Sequence, residues 1–413
     1  MHEAVNIPDR WALHDVECRE ASLVCQARSA ARFHSRAPST QESNTASEVP
    51  IGTGEFIHAK AAVRRKRDGL LPLGVGLFVL GTMAFLSTTI SLASAAPLVI
   101  GRSSTTATVT EIHCGFVDSS RSVPDFATQP PSVASNARTL PTSIWLPPSG
   151  APDHPRPLVL FAAGYDSYPG IYAPLLSAWA NAGFVVAAPT FPDENPAEVA
   201  AQQSNTEGDL ANEPADLAYV GRALEQASVH RVESCPGVFG MIEPRVLVVA
   251  GHSDGASAAA LFAFGTGSDP QGVPESMLRA GFSLRAALIF SGAADGRSTY
   301  GAPDPELRLL MIQSAGDHCN PERDAAALYR SLHVDERFFL LLRTAQHRSP
   351  FDGTDEPAFR LVTAASIRFL RLSVREARMG PGFVAYGDRD PAVGAVYAAP
   401  PITPLLSPNC GPS

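Results

Sequence analysis

Arg245-Val246-Leu247-Val248-Val249-Ala250-Gly251-His252-Ser253-Asp254-Gly255-Ala256-Ser257-Ala258 is the stretch whose reading decides the fold. A continuous apolar run enters Gly-x-Ser-x-Gly and leaves it as an Ala-rich segment, which predicts a buried strand, a sharp turn and a helix. A serine on such a turn carries a strained backbone, so the positions two residues to either side take glycine to avoid clashes. The turn lifts the Ser253 hydroxyl out of the sheet, and the helix start behind it favours developing negative charge. Strand before and helix after are the context in which this pattern points to a nucleophilic serine.

Outward from this stretch, the chain after Pro157 alternates short apolar runs with amphipathic ones, the pattern of a parallel sheet covered by crossover helices. Strands are predicted over 158–163, 184–188, 245–250, 286–290, 307–313 and 338–342, with leading edge strands over 107–113 and 139–146. Helices are predicted over 171–182, 214–227, 253–264, 321–332 and 357–372. Pro214 and Pro321 suit a first helical position, and Asn212 and Asn320 stand where a cap belongs. The fold class is therefore α/β, a mostly parallel central sheet with helices on both faces.

A serine hydroxyl becomes a nucleophile when a histidine takes its proton, and that histidine needs a carboxylate to fix its tautomer. With Gly-x-Ser-x-Gly the chain order is Ser, acid, His. Asp317 follows the strand ending at Gln313, and His347 follows the strand ending at Leu342, so both expected strand ends carry the expected residue. Asp295 also follows a strand and is the rival acid. His318 precedes the last strand, His252 lies on the elbow and packs beneath it, and His154, His230 and His333 have no partner pattern. A metal site from His318, Cys319 and His347 matches no ligand spacing, so neither metal nor cofactor is expected. The oxyanion donors are predicted to be the backbone N–H of Asp254 and that of Tyr165, in the loop Ala162-Ala163-Gly164-Tyr165-Asp166. Gly164 permits the close backbone approach, and Gly164 with Tyr165 forms the expected substrate-binding strip.

On Val117-Asp118-Ser119-Ser120-Arg121, the Gly164-Tyr165 loop, Ala180 to Val186, Gly251 to Gly255, and Gly316-Asp317 with Asn320-Pro321, residues 107–400 resemble a group of bacterial secreted α/β-hydrolases. These are related to chlorophyllase, to platelet-activating-factor acetylhydrolase and to polyester-degrading cutinases. The resemblance implies the α/β-hydrolase fold, the triad Ser253, Asp317 and His347, and carboxylic-ester substrates, whether small molecules, lipids or polymers. Ala163 departs from it, since many members carry His before the glycine. The short stretch from Gly292 to Glu306 leaves no room for a large lid domain, which suits bulky esters. An acyltransferase or peptidase using the same triad, and a non-catalytic exported binding module on the same fold, stand as the alternatives.

The chain has 413 residues and a net charge of -9. That balance argues against a nucleic-acid partner, because phosphate affinity comes from clustered Lys and Arg. The only dense basic run, Arg64-Arg65-Lys66-Arg67, precedes an uncharged segment from Gly69 to Gly101 that is strongly apolar over Leu70 to Leu92. Its length suits a membrane anchor, while Ala93-Ser94-Ala95-Ala96 suits signal-peptidase cleavage. In both cases the sequence predicts export of the chain beyond about residue 97, secreted or anchored with the catalytic domain outside, and membrane contact only through an uncleaved segment. The predicted organisation is 1–62 as a disordered tail or a mis-assigned start, 63–96 as signal or anchor, 97–135 as an extended leader, 136–400 as the catalytic domain and 401–413 as a C-terminal tail. Of six cysteines, Cys114, Cys235, Cys319 and Cys410 lie in the exported part, an even set that suggests disulfides without choosing a pairing.

Overall fold

The computed structural model describes residues 108–398 other than 129, 149–153, 203–206, 294–298, 302–305, 378–382 and 384–389. The expectations for 1–62, 63–96 and 401–413 lie outside these residues. In chain order the strands are β1 (Thr110–Asp118), β2 (Val123–Asp125), β3 (Ser132–Ser135), β4 (Arg138–Leu146), β5 (Arg156–Ala162), β6 (Val185–Pro189), β7 (Ile242–His252), β8 (Ser283–Phe290), β9 (Arg308–Ser314), β10 (Glu336–Leu342) and β11 (Val393–Ala398). The helices are α1 (Ala173–Asn181), α2 (Pro196–Gln202), α3 (Glu213–Val229), α4 (Asp254–Phe264), α5 (Glu275–Leu278), α6 (Glu322–Ser331), α7 (Ser349–Asp352) and α8 (Glu356–Val374).

Nine strands form one mixed sheet in the order β1-β4-β6-β5-β7-β8-β9-β10-β11. The six from β6 to β10 in that order run parallel, and β4, β1 and β11 are joined to their neighbours antiparallel. The segment predicted as an extended leader thus supplies β1, which pairs with β4 over its whole length. Cys114 of β1 is joined by a disulfide to Cys235, just ahead of β7, tying the sheet edge to the interior.

Alternation along the strands divides the core in two. Leu158 and Leu160, Leu247 and Val249, and Leu309 and Met311 pack with α3, α4 and α6. Val159 and Phe161, Val248 and Ala250, and Leu310 and Ile312 pack with α1 and α8. Period-2 side chains with apolar residues on both faces are what a sheet sandwiched by helices requires. After β5 the chain adds β6 on one side and then crosses to add β7 on the other. The order reverses at β5, and in open α/β sheets the crevice outside the carboxyl ends of the strands at such a reversal is where ligands bind.

The proline-started helices differ from the expectation in their caps. Asn212 and Pro321 occupy the cap positions of α3 and α6 without a side-chain cap bond. Asn320 instead donates its amide to the Ser291 carbonyl at 2.7 Å, so its side chain braces a neighbouring strand end. No helix among the described residues is long and apolar enough to cross a membrane; the segment Leu70 to Leu92 lies outside them.

Candidate active site

β7 runs straight into Ser253, which takes φ 56° and ψ -123° before α4 begins at Asp254. A positive φ is costly for a residue with a Cβ, and it persists because the surroundings fix it. The Ser253 N–H donates to the Phe290 carbonyl at 3.0 Å, and its own carbonyl accepts from Ala256 and Ser257. The flanking glycines are required by backbone rather than by side chains. A Cβ on Gly251 would lie 2.0 Å from the Gly255 oxygen, and one on Gly255 would lie 2.2 Å from the Ala163 oxygen. A Cβ on Gly164 would lie 2.8 Å from the Ser253 Cβ, so the loop after β5 passes directly against the serine. In that loop Asp166 also has positive φ and donates its N–H to the Glu194 carbonyl at 2.9 Å. The Tyr165 N–H donates to no backbone acceptor among the described residues.

Asp317 and His347 are brought together from the ends of β9 and β10. Strand pairing runs to Leu342 and Ser314, the Ala315 N–H donates to the Leu342 carbonyl, and the Gly316 N–H donates to the Ala345 carbonyl. His347 Nδ1 then lies 2.8 Å from Asp317 Oδ2. Asp317 Oδ2 also accepts from Gln313 Nε2, and Oδ1 accepts from the N–H groups of Cys319 and Asn320 at 2.9 and 2.8 Å. Burial pushes this carboxyl up, but His347 and the Asn320 N–H outweigh it and hold it below the usual range. An acceptor-only carboxylate at Oδ2 requires His347 to carry its proton on Nδ1, leaving Nε2 as the basic atom.

His252 is 2% exposed, its ring lies 4.7 Å from that of His347 at a tilt of 51°, and it packs against Phe351. Its Nε2 donates to the His347 carbonyl at 2.9 Å, which leaves Nδ1 to accept from the Tyr172 hydroxyl at 2.9 Å. Burial and the neighbouring His347 hold His252 well below its ordinary value, so it stays neutral, and burial pushes the Tyr172 phenol up to about 12. His252 is thus a fixed bracket between the elbow and the His347 loop. The residue after it is Ser253, so the His252 bracket ties the His347 loop to the elbow. A Ser253–His347 hydrogen bond is not among those formed by the described residues.

Asp295, the rival acid, lies outside the described residues. Potential ligand atoms of Asp317, Cys319 and His347 lie within 4.8 Å of one another, but both Asp317 oxygens already accept two hydrogen bonds each. Sequence reading missed Gln313, Asn320 and Tyr172. Gln313 was detectable as the one amide in a strand end of otherwise apolar residues. No family model matches the chain, and no curated protein is significantly similar to it.

Proposed function

We propose that the chain is a serine hydrolase of carboxylic esters on an α/β-hydrolase fold, with Ser253 as nucleophile, His347 as general base and Asp317 as its orienting acid. The observation that carries the reading is the His347–Asp317 bond of 2.8 Å, made at two strand ends beside a serine in a positive-φ elbow. The strand order, with serine after β7, acid after β9 and histidine after β10, supports the fold assignment.

In this reading Ser253 Oγ attacks the ester carbonyl carbon as His347 Nε2 takes the hydroxyl proton. Negative charge on the carbonyl oxygen is received by the N–H groups of Tyr165 and Asp254. Collapse of the tetrahedral intermediate expels the alcohol, which takes the proton from His347 and leaves an acyl group on Ser253. Water, deprotonated by the same imidazole, then adds to the acyl carbon; the bond to Ser253 Oγ breaks, the carboxylic acid leaves, and His347 returns the proton to Ser253 Oγ. The imidazolium formed in each step is stabilised by the Asp317 carboxylate. We also place this domain outside the cytoplasm. The Cys114–Cys235 disulfide supports that placement, because such bonds persist in oxidising compartments.

A panel of p-nitrophenyl esters of increasing chain length tests the reading. Ser253→Ala and His347→Ala are each expected to lower turnover by about a millionfold. Near-parental hydrolysis of every ester by either variant would overturn the assignment.

A further inference from the structure

The loop after β5 is fixed on both sides of Tyr165. Before it, a Cβ on Gly164 would lie 3.0 Å from the His252 carbonyl oxygen as well as 2.8 Å from the Ser253 Cβ, so the backbone there is wedged against the elbow. After it, the Tyr165–Asp166 peptide is held at each end: its N–H donates to the Glu194 carbonyl at 2.9 Å, and its carbonyl accepts from the Ser167 hydroxyl at 3.3 Å. Asp166 takes φ 53°, a conformation costly for a residue with a Cβ, so it depends on contacts that fix it from outside. The Glu194 carbonyl comes from another part of the chain, a closed loop over 191–195. Thr190 anchors its entry by donating its N–H to the Pro141 carbonyl of β4 at 2.8 Å, and Phe191 is buried in the core. Asn195 closes it. Its Nδ2 donates to the Phe191 and Pro192 carbonyls, both at 2.9 Å. Its Oδ1 accepts from the N–H groups of Ala197 and Glu198 at 3.2 and 3.3 Å, capping α2. One side chain therefore has two separable roles: the oxygen starts a helix, and the amide nitrogen folds the chain back to where the Glu194 carbonyl meets Asp166.

We propose that Asn195 is a positioning residue for the oxyanion hole: its amide nitrogen holds the Glu194 carbonyl against Asp166, and that bond sets the direction of the Tyr165 N–H one peptide away. The catalytic part rests on the hydrolase reading; the hold on the loop does not. An oxyanion donor stabilises charge only when it is already aimed at the place where charge develops, and a displacement of about 1 Å can cost about a hundredfold in rate. Removing Nδ2 takes the donor from the Phe191 and Pro192 carbonyls and frees the Glu194 carbonyl to shift, while a hydroxyl or carboxylate oxygen at position 195 still caps α2. Rotation of the Tyr165–Asp166 peptide then relieves the positive φ of Asp166 and turns the neighbouring N–H away from the reacting oxygen. The loss falls on the transition state, where the negative charge is largest.

Asn195→Ser and Asn195→Asp separate the two roles, since each keeps a capping oxygen and loses the amide donor. On p-nitrophenyl butyrate both should lower kcat by about tenfold to a hundredfold with KM little changed, at a Tm near that of the parent. A trifluoromethyl ketone, which Ser253 Oγ attacks to leave an oxyanion, should bind more weakly by a similar factor. Hydrogen exchange read by mass spectrometry needs no turnover. The peptide spanning 164–168 should exchange about tenfold faster in either variant, with the strands of the sheet unchanged. Parental kcat and parental exchange in both variants would overturn the inference, and faster exchange at parental kcat would overturn the positioning role. So would a fall in kcat accompanied by a lower Tm and faster exchange throughout the sheet, which assigns the loss to general stability. A parent inactive on every ester would sink the hydrolase reading and the catalytic role with it, while exchange over 164–168 would still decide whether Asn195 holds the loop.

Discussion

Asp317, just past β9, and Glu213, at the start of α3, are both carboxyl groups removed from water, and the protein treats them in opposite ways. Four donors converge on Asp317, and it stays charged below the usual range. None of the donors among the described residues reaches a Glu213 side-chain oxygen, and burial raises this carboxyl. Depth alone does not set protonation in this fold; the supply of N–H groups does. The charged acid sits against His347 beyond the ends of β9 and β10, and the raised one is buried at the start of α3.

Removing the charge where it is used should have the largest effect. Asp317→Asn keeps the shape but favours the wrong His347 tautomer, and kcat should fall about ten-thousandfold, against little loss for Glu213→Gln at neutral pH. Steady-state kinetics on one ester compare the two directly. Next in size is a change that makes a paired carboxylate resemble Glu213. Arg138→Met leaves Asp209 buried without its cation and Asp216 with Arg121 alone, and should cost about 3–5 kcal/mol in urea unfolding. Loss of the Cys114–Cys235 crosslink as a double Ser variant should cost about 2–5 kcal/mol in the same assay, without altering the pH dependence of either acid.

The acid side of the stability profile sharpens the contrast further. Because the folded Asp317 carboxyl is held below its unfolded value, its contribution is complete above about pH 3.9 and is lost as pH falls through the folded pKa. Acid titration followed by circular dichroism should therefore show a shallower loss in Asp317→Asn than in the parent, the reverse of a raised carboxyl such as Glu213, whose contribution is lost as pH rises. The smallest expected effect is at α8, where Asp355 accepts from the Ala358 N–H as a cap. Asp355→Ala should cost about 1 kcal/mol and leave kcat unchanged.

How much of this is legible in the sequence depends on how local each signal is. The elbow declares itself in consecutive residues, and the six parallel strands stand out as apolar runs with ends displaced by a few positions. β7 begins at Ile242 rather than Arg245 because Pro244 interrupts the pattern, and the strand pairs with β8 through a register shift. β11 escapes notice because Val393-Gly394-Ala395-Val396-Tyr397-Ala398 is short and glycine-broken. β3 escapes it because all four of its residues are exposed and show no apolar alternation. In the candidate site, Ser253, Asp317 and His347 are legible because each follows a strand. Asn320 reads as a helix cap because its true acceptor, the Ser291 carbonyl, lies 29 positions away.

In the proposed mechanism Ser253 is a nucleophile activated by a His347 that Asp317 orients. The most direct measurement is peptide mass spectrometry after treatment with a fluorophosphonate, on the parent and on His347→Ala. An adduct on Ser253 is expected in the parent, with simultaneous loss of ester hydrolysis, and labelling slowed by orders of magnitude in His347→Ala. An unmodified Ser253 in protein that hydrolyses esters, or equal labelling rates in the two proteins, would contradict it.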